Sequence, residues 1–397
     1  MRTRRARVIL AAGSALVALV CAEVGLRVAG VSFPNFYRPD ANRGWSLQPG
    51  AEGWWRREGA AYVRINGAGL RDEEHRFAKP KGEVRIAVLG DSCTEALQVP
   101  IAETFWERME GELARCPAAA GRAVEAVNFG VAGYGTAQEL LTLRHEVWRY
   151  EPDLVLLAFY TGNDVRNNER RLEQDPSRPY FTLRPDSTLA LDDSFLAAPG
   201  FRLRRSAPAR LLYAAFNHVR LLQLGKVAQS AVDGWVGSWK ARRVENNGAL
   251  QELGLDNAVY SPPADAAWND AWRATEAMIR VMRDETAAHG ARFAVVTLSN
   301  GIQVHPDPAV RRDFMRRLGL SALFYPDHRL RDFGQAHHIP VLNLAPPLQD
   351  LATRRHLYLH GFPNTPPGQG HWNSQGHAAA AHLLAPWLCP QLPPPQP

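Results

Sequence analysis

Five short stretches of this chain are almost unbroken in hydrophobicity: Arg85–Leu89, Val124–Phe129, Leu154–Phe159, Phe293–Leu298 and Ile339–Leu344. None alternates between apolar and polar residues, as a strand with one wet face would. Runs of this length and composition are strands buried on both faces, which occur in parallel sheets covered by helices. Helical patterns at 104–115, 137–150, 268–289, 327–337 and 374–384 separate or follow them. Strands alternating with helices specify an α/β fold with a parallel sheet between two helical layers.

The flanking segments are of other kinds. Residues 1–30 begin with Arg2, Arg4, Arg5 and Arg7, followed by fifteen uncharged residues, Val8–Ala22. This is the layout of a secretory signal or a signal-anchor. Glu23 and Arg27, four residues apart, can pair and carry the helix on to Gly30, which gives an uncleaved anchor. A cleaved signal peptide is the alternative. The arginines place the N-terminus in the cytoplasm and the body outside it: periplasmic, on a single-pass anchor or released by cleavage. Residues 31–82 read as an extended leader with one strand, Tyr62–Ile65. Residues 83–389 read as the main domain, with an insertion at about 165–263 that is too long for one crossover. In it, Leu212, Phe216, Val219 and Leu222 recur at helical spacing among arginines. The insertion reads as a small subdomain packing on the sheet domain, with a lid over the site or a surface that touches lipid as the alternatives. The Pro/Gln-rich tail 390–397 reads as disordered.

Composition excludes several functions. The formal charge is +6, but residues 1–30 hold five arginines against Glu23, leaving +2 for the other 367 residues. No basic stripe remains for a phosphate backbone, so nucleic acid is not expected as a partner. The four cysteines show no C-x-x-C or C-x-x-H spacing. No structural metal or cofactor is expected, and His356 and His360 lack a third ligand.

Open parallel sheets bind ligands beyond the carboxyl ends of their strands. Gly90-Asp91-Ser92-Cys93 follows the first run. Asn128-Phe129-Gly130-Val131-Ala132-Gly133-Tyr134-Gly135 closes the second, and Thr161-Gly162-Asn163-Asp164 follows the third. Gly370-His371-Trp372-Asn373 precedes the last helix. A serine with a histidine base, a glycine N–H and an asparagine amide are the parts of an acyl-transfer site. Alone, each is ordinary turn or cap chemistry; the four together, in this order, are specific.

These blocks resemble the SGNH/GDSL hydrolase superfamily, with Ser92, Gly133, Asn163 and His371 at its four named positions. The resemblance covers residues 84–164 and about 290–385. Val63-Arg-Ile-Asn-Gly-Ala-Gly-Leu-Arg71 resembles the leader of envelope-anchored members. It implies a flavodoxin-like three-layer α/β/α sandwich with a five-stranded parallel sheet. It also implies acyl-ester hydrolysis by Ser92 and His371, with Ser92, Gly133 and Asn163 forming an oxyanion hole. The substrate would be a small acyl ester or an acylated polysaccharide, a carbohydrate or lipid ester. A polysaccharide O-acyltransferase with the same site is the alternative, as is an inactive binding module. Trp54, Trp55 and Trp372 are candidates for stacking on sugar rings.

One position departs from the family. The aspartate usually two or three residues before the histidine is replaced by Gln369 and Gly368, and no Asp or Glu follows Asp350. A backbone carbonyl or the Gln369 amide would then orient His371, or a carboxylate from Asp350 or the insertion would replace the missing one. The third outcome is an inactive site. The family fold also packs the helices after Ser92 and after His371 side by side. Cys116 and Cys389, at their ends, are therefore expected to form a disulfide.

Overall fold

A computed structural model describes residues 2–186, 188–226, 228 and 255–394. The chain opens with α1 (Arg2–Val28) and two hairpins, β1 (Tyr37–Asp40) with β2 (Gly44–Leu47) and β3 (Glu52–Trp55) with β4 (Ala61–Arg64). The main domain then runs β5 (Glu83–Gly90), α2 (Ser92–Glu95), α3 (Phe105–Leu113), β6 (Ala123–Asn128), α4 (Thr136–His145), β7 (Leu154–Tyr160) and α5 (Asp164–Asn167). The insertion holds the hairpin β8 (Tyr180–Leu183) and β9 (Leu189–Asp192), α6 (Pro199–Arg204) and α7 (Ala207–His218). After it come α8 (Ala266–Ala288), β10 (Arg292–Leu298), α9 (Pro308–Leu318), α10 (Tyr325–Ala336), β11 (Val341–Asn343), α11 (Ala345–Arg355) and α12 (Ser374–Leu388).

The five main-domain strands form one parallel sheet in the order β11–β10–β7–β5–β6. Successive side chains of a strand point to opposite faces. Ile86 and Val88 therefore join Phe105, Met109, Leu384 and Leu388 on one face. Ala87 and Leu89 join Leu140, Met278, Met282 and Leu330 on the other. The three-layer sandwich follows from strands that bury both faces.

The leader is more structured than its sequence suggests. Phe36, Leu47, Val63 and Ile65 from its hairpins form a small core with Leu97, Val131 and Tyr134. Leu97 lies just past Ser92, and Val131 and Tyr134 flank Gly133. The leader thus closes directly over the carboxyl edge of the sheet.

Two expectations need correction. The pattern at 137–150 is α4 followed by a separate 3-10 turn, Val147–Tyr150. The chain is folded beyond Pro390, because Leu392 is buried in the core and Arg122 Nη2 donates to the Pro393 carbonyl at 2.6 Å; residues 395–397 lie outside the described ones. The insertion packs on the sheet domain through Phe181, Val259 and Tyr260, which join its core, whereas Leu211 and Leu212 on α7 are 73% and 65% exposed.

Cys116 and Cys389 form a disulfide with their Cα atoms 6.0 Å apart. The separation suits such a bond, and it fastens the end of α3 to the end of α12.

Candidate active site

Ser92 leaves β5 as the first residue of α2, capped by Asp91, whose Oδ1 accepts from the Cys93 N–H at 3.0 Å. A helix of four residues has little dipole, so what α2 offers at this point is its backbone N–H rather than a helix field. Ser92 Oγ lies 2.9 Å from His371 Nε2 and 3.3 Å from Asp91 Oδ2. The shorter contact brings the hydroxyl within hydrogen-bond reach of the imidazole.

His371 precedes α12, whose N-cap Asn373 accepts from the Gln375 and Gly376 N–H groups at 3.0 Å each. The other ring nitrogen, Nδ1, lies 2.5 Å from Glu58 Oε2, and the His371 backbone N–H donates to Glu58 Oε1 at 2.6 Å. Both oxygens of Glu58 are therefore committed to one residue. With Nδ1–H directed at a carboxylate, Nε2 presents its lone pair to Ser92.

The orienting group is thus neither Gln369 nor Asp350. Gln369 is exposed, and Asp350 is 68% exposed and paired with Arg354 on α11. The carboxylate comes instead from the turn between β3 and β4 in the leader. Asn364 fixes that turn: its Oδ1 accepts from the Gly59 N–H at 2.9 Å, and its Nδ2 donates to the Arg56 and Gly59 carbonyls. Gly370 leaves room for the carboxylate. It sits at φ +77°, and a Cβ there would lie 2.1 Å from Glu58 Oε1.

Burial works against the imidazolium of His371, but the Glu58 carboxylate overcomes it and holds the ring above its ordinary 6.5. Burial would likewise raise Glu58, yet its bonds to His371 keep it below the ordinary carboxylate range. The neighbouring acids behave oppositely. Burial raises Asp91, Glu139 and Asp164, and pushes Glu95 up to about 8. Glu95 accepts from the Tyr37 hydroxyl at 2.9 Å.

Gly133 and Asn163 stand at the same sheet edge, each in the loop after its strand. Gly133 adopts φ +76°, where a side chain is strained, and its carbonyl accepts from Arg178 Nη2 at 2.7 Å. Asn163 precedes α5 without capping it through its side chain, and its Oδ1 is buried.

His360 and His377 are engaged with protein groups. His360 contacts the Gly370 carbonyl at 2.6 Å and Ser299 Oγ at 3.1 Å. Burial pushes it down to about 4, so it acts as a neutral brace behind the His371 loop. His377 Nδ1 accepts from the Phe105 N–H at 3.2 Å, at the start of α3. Trp372 is fully buried and donates to Ser299 Oγ, so it is no platform for a sugar. Trp54 and Trp55 are half-buried under Arg56 and Arg57.

The five-stranded parallel sheet between two helical layers agrees with the fold the resemblance implied. No family model matches it, and no curated protein does. Solved structures align with it. TesA is 13% identical over 77% of this chain and 98% of its own, with a TM-score of 0.34. The lipase/acylhydrolase from Enterococcus faecalis is 13% identical over 79% of this chain and 100% of its own, TM-score 0.33. A catalytic mutant of Axe2, an acetylxylan esterase from Geobacillus stearothermophilus, is 12% identical over 77% and 94%, TM-score 0.36. At these TM-scores the likenesses carry no argument, and the functional reading rests on this chain's own residues.

Proposed function

We propose that this protein is a serine-dependent acyl-ester hydrolase whose triad is Ser92, His371 and Glu58. The observation that carries the reading is the continuous chain of contacts from Ser92 Oγ to His371 Nε2 at 2.9 Å and from His371 Nδ1 to Glu58 Oε2 at 2.5 Å. Ser92 Oγ attacks the ester carbonyl as His371 Nε2 takes its proton. Glu58 stabilises the imidazolium that forms. The Ser92 and Gly133 N–H groups and the Asn163 amide hold the oxyanion. His371 then gives its proton to the leaving alkoxide, and water, activated by the same ring, releases the acid. The reading as an inactive binding module rested on a missing triad acid; Glu58 stands in that place and supports the enzyme.

The substrate proposed is an acyl ester of a carbohydrate or lipid, including an O-acetylated polysaccharide. Transfer to a sugar hydroxyl would use the same atoms in the same order. The His371 side chain is 27% exposed, so water can reach the acyl-enzyme. The α1 helix is long and apolar enough to cross a membrane, and we place the body on the periplasmic side, following its N-terminal arginines. The test is p-nitrophenol release from p-nitrophenyl acetate by the full chain in detergent. A stoichiometric burst followed by turnover is expected, and both vanish in Ser92→Ala. Wild-type turnover by Ser92→Ala would overturn the mechanism.

A further inference from the structure

We propose that residues 199–226 lie flat on a bilayer rich in anionic lipid, the same bilayer that α1 crosses, as a second membrane contact independent of the catalytic reading. The first observation is where this segment meets α1. The two carboxylate oxygens of Glu23 accept from the Arg220 and Leu221 N–H groups at 3.0 Å each. These residues open the helical stretch 220–226. Arg27 Nη2 donates to the His218 carbonyl, at the end of α7, at 2.6 Å. The apolar span Arg4–Val28 reaches about 37 Å at 1.5 Å per residue, against a core of about 30 Å. Its last two turns, where the junction between α7 and 220–226 is fixed, therefore sit at the membrane interface.

The second observation is the surface that follows. Leu203 is 70% exposed, Leu211 73% and Leu212 65%, and Leu222 and Leu224 are also exposed. Outside α1, half of the large exposed apolar side chains among the described residues fall in this one segment. Water gives such a cluster no compensation, whereas the acyl boundary of a bilayer does.

The third observation is charge. Residues 199–226 contain Arg202, Arg204, Arg205, Arg210, Arg220 and Lys226 and no Asp or Glu. The segment carries +6 and residues 1–30 carry +4 of a total of +6, which leaves the rest of the chain at −4. Positive charge is thus concentrated where the chain meets the membrane. None of the six cations forms an ion pair among the described residues. A cleft of about 500 Å³ beside α6 and α7 is lined by Arg38, Arg204, Arg205, Arg210 and Tyr213, with Asp40 as its one acid. Leucines interleaved with unpaired arginines suit a surface with acyl chains below and phosphates above.

The contact also fixes the body. Gln223 Oε1 accepts from the Phe33 N–H at 2.7 Å, and Asn217 exchanges hydrogen bonds with the Asn35 backbone at 2.8 and 2.9 Å. The leader that delivers Glu58 therefore hangs from the membrane-bound segment.

The test uses the full chain with Cys21→Ser and a single added cysteine, Leu212→Cys, labelled with an environment-sensitive fluorophore. Cys93 is buried and does not compete. The chain is reconstituted into vesicles of phosphatidylcholine, with or without phosphatidylglycerol, carrying nitroxide lipids. Leu318→Cys, on α9 away from the segment, is the control. In phosphatidylglycerol vesicles the label at 212 is expected to shift to the blue and lose intensity to the nitroxides, while the label at 318 does neither. Equal, unquenched emission at both sites overturns the membrane contact. Quenching at 212 that is the same without phosphatidylglycerol overturns the anionic-lipid component. Quenching at 318 as strong as at 212 overturns the assignment of the contact to this segment.

Discussion

Glu58 Oε2 and His371 Nδ1 are 2.5 Å apart in space and 313 residues apart in sequence. The acid comes from a hairpin that forms outside the sheet domain and folds back over it. If Glu58 orients the imidazole, Glu58→Gln should lower kcat about 10⁴-fold, the cost of losing a triad acid in serine proteases. The KM should change little, because Glu58 touches His371 and not the substrate. Steady-state kinetics with Glu58→Gln and Glu58→Asp check this, with partial recovery expected for the aspartate.

The same pair sets the pH dependence. Catalysis needs neutral His371, and Glu58 holds that ring above 6.5. The acid limb of kcat/KM should therefore have its midpoint above 6.5 in the wild type. In Glu58→Gln, burial is opposed only by the weaker pull of Asp91 and Glu95, and the limb should move to lower pH. Stability runs the other way. The raised histidine contributes below 6.5, and that contribution is lost as pH rises through its folded value. The lowered carboxylate contributes above 4.5, and that is lost as pH falls. Urea unfolding should thus show the largest gap between wild type and Glu58→Gln between those two values.

Gly370 is a separate handle on this contact. Its φ of +77° costs a residue with a Cβ roughly 1–2 kcal/mol. The added methyl would also displace Glu58 from His371. Gly370→Ala should reduce kcat towards the level of Glu58→Gln, and the double variant should be little worse than either alone. Additive losses in the double variant would show that Gly370 acts through some other group.

The sheet, its flanking helices and the four blocks were legible because each depends on local pattern. Ile86, Val88, Leu156 and Val296 read as doubly buried strands without any tertiary information, and Ser92, Gly133 and Asn163 follow such strands directly. Glu58 was not legible. Trp-Arg-Arg-Glu-Gly-Ala lies in a leader whose sequence shows a single strand, and what sets this glutamate apart is the Asn364 clamp and the space at Gly370, both from the far end of the chain. The exposure of α7 was not legible for another reason. Helical spacing of Leu212, Phe216, Val219 and Leu222 shows that an apolar face exists but not what covers it. The short strands β1 to β3 were missed because Gly, Pro and Trp mask alternation over four residues.

Location is tested in cells. A C-terminal alkaline phosphatase fusion to the full chain should be active, and a cytoplasm-dependent reporter at the same position inactive. Retention of the fusion in washed membranes is expected for an uncleaved α1, and release into the soluble periplasm would show cleavage. Activity of only the cytoplasmic reporter would reverse the orientation.

The disulfide bears on both stability and the site. Cys116 and Cys389 enclose a loop of 273 residues. Closing a loop of that order removes chain entropy from the unfolded state equivalent to about 5 kcal/mol on the loop-closure model. The bond also ties α3 to α12, and α12 begins three residues after His371, while His377 on α12 accepts from the Phe105 N–H that opens α3. A Cys116→Ser, Cys389→Ser variant should therefore unfold at lower urea and give a lower burst amplitude near its transition. The activity of its folded fraction well below that transition should match the wild type, since the α3–α12 core remains packed. The bond itself is read by thiol labelling. In denaturant without reductant, Cys21 and Cys93 should label and Cys116 and Cys389 should not; labelling of all four would remove the cross-link and the stability assigned to it.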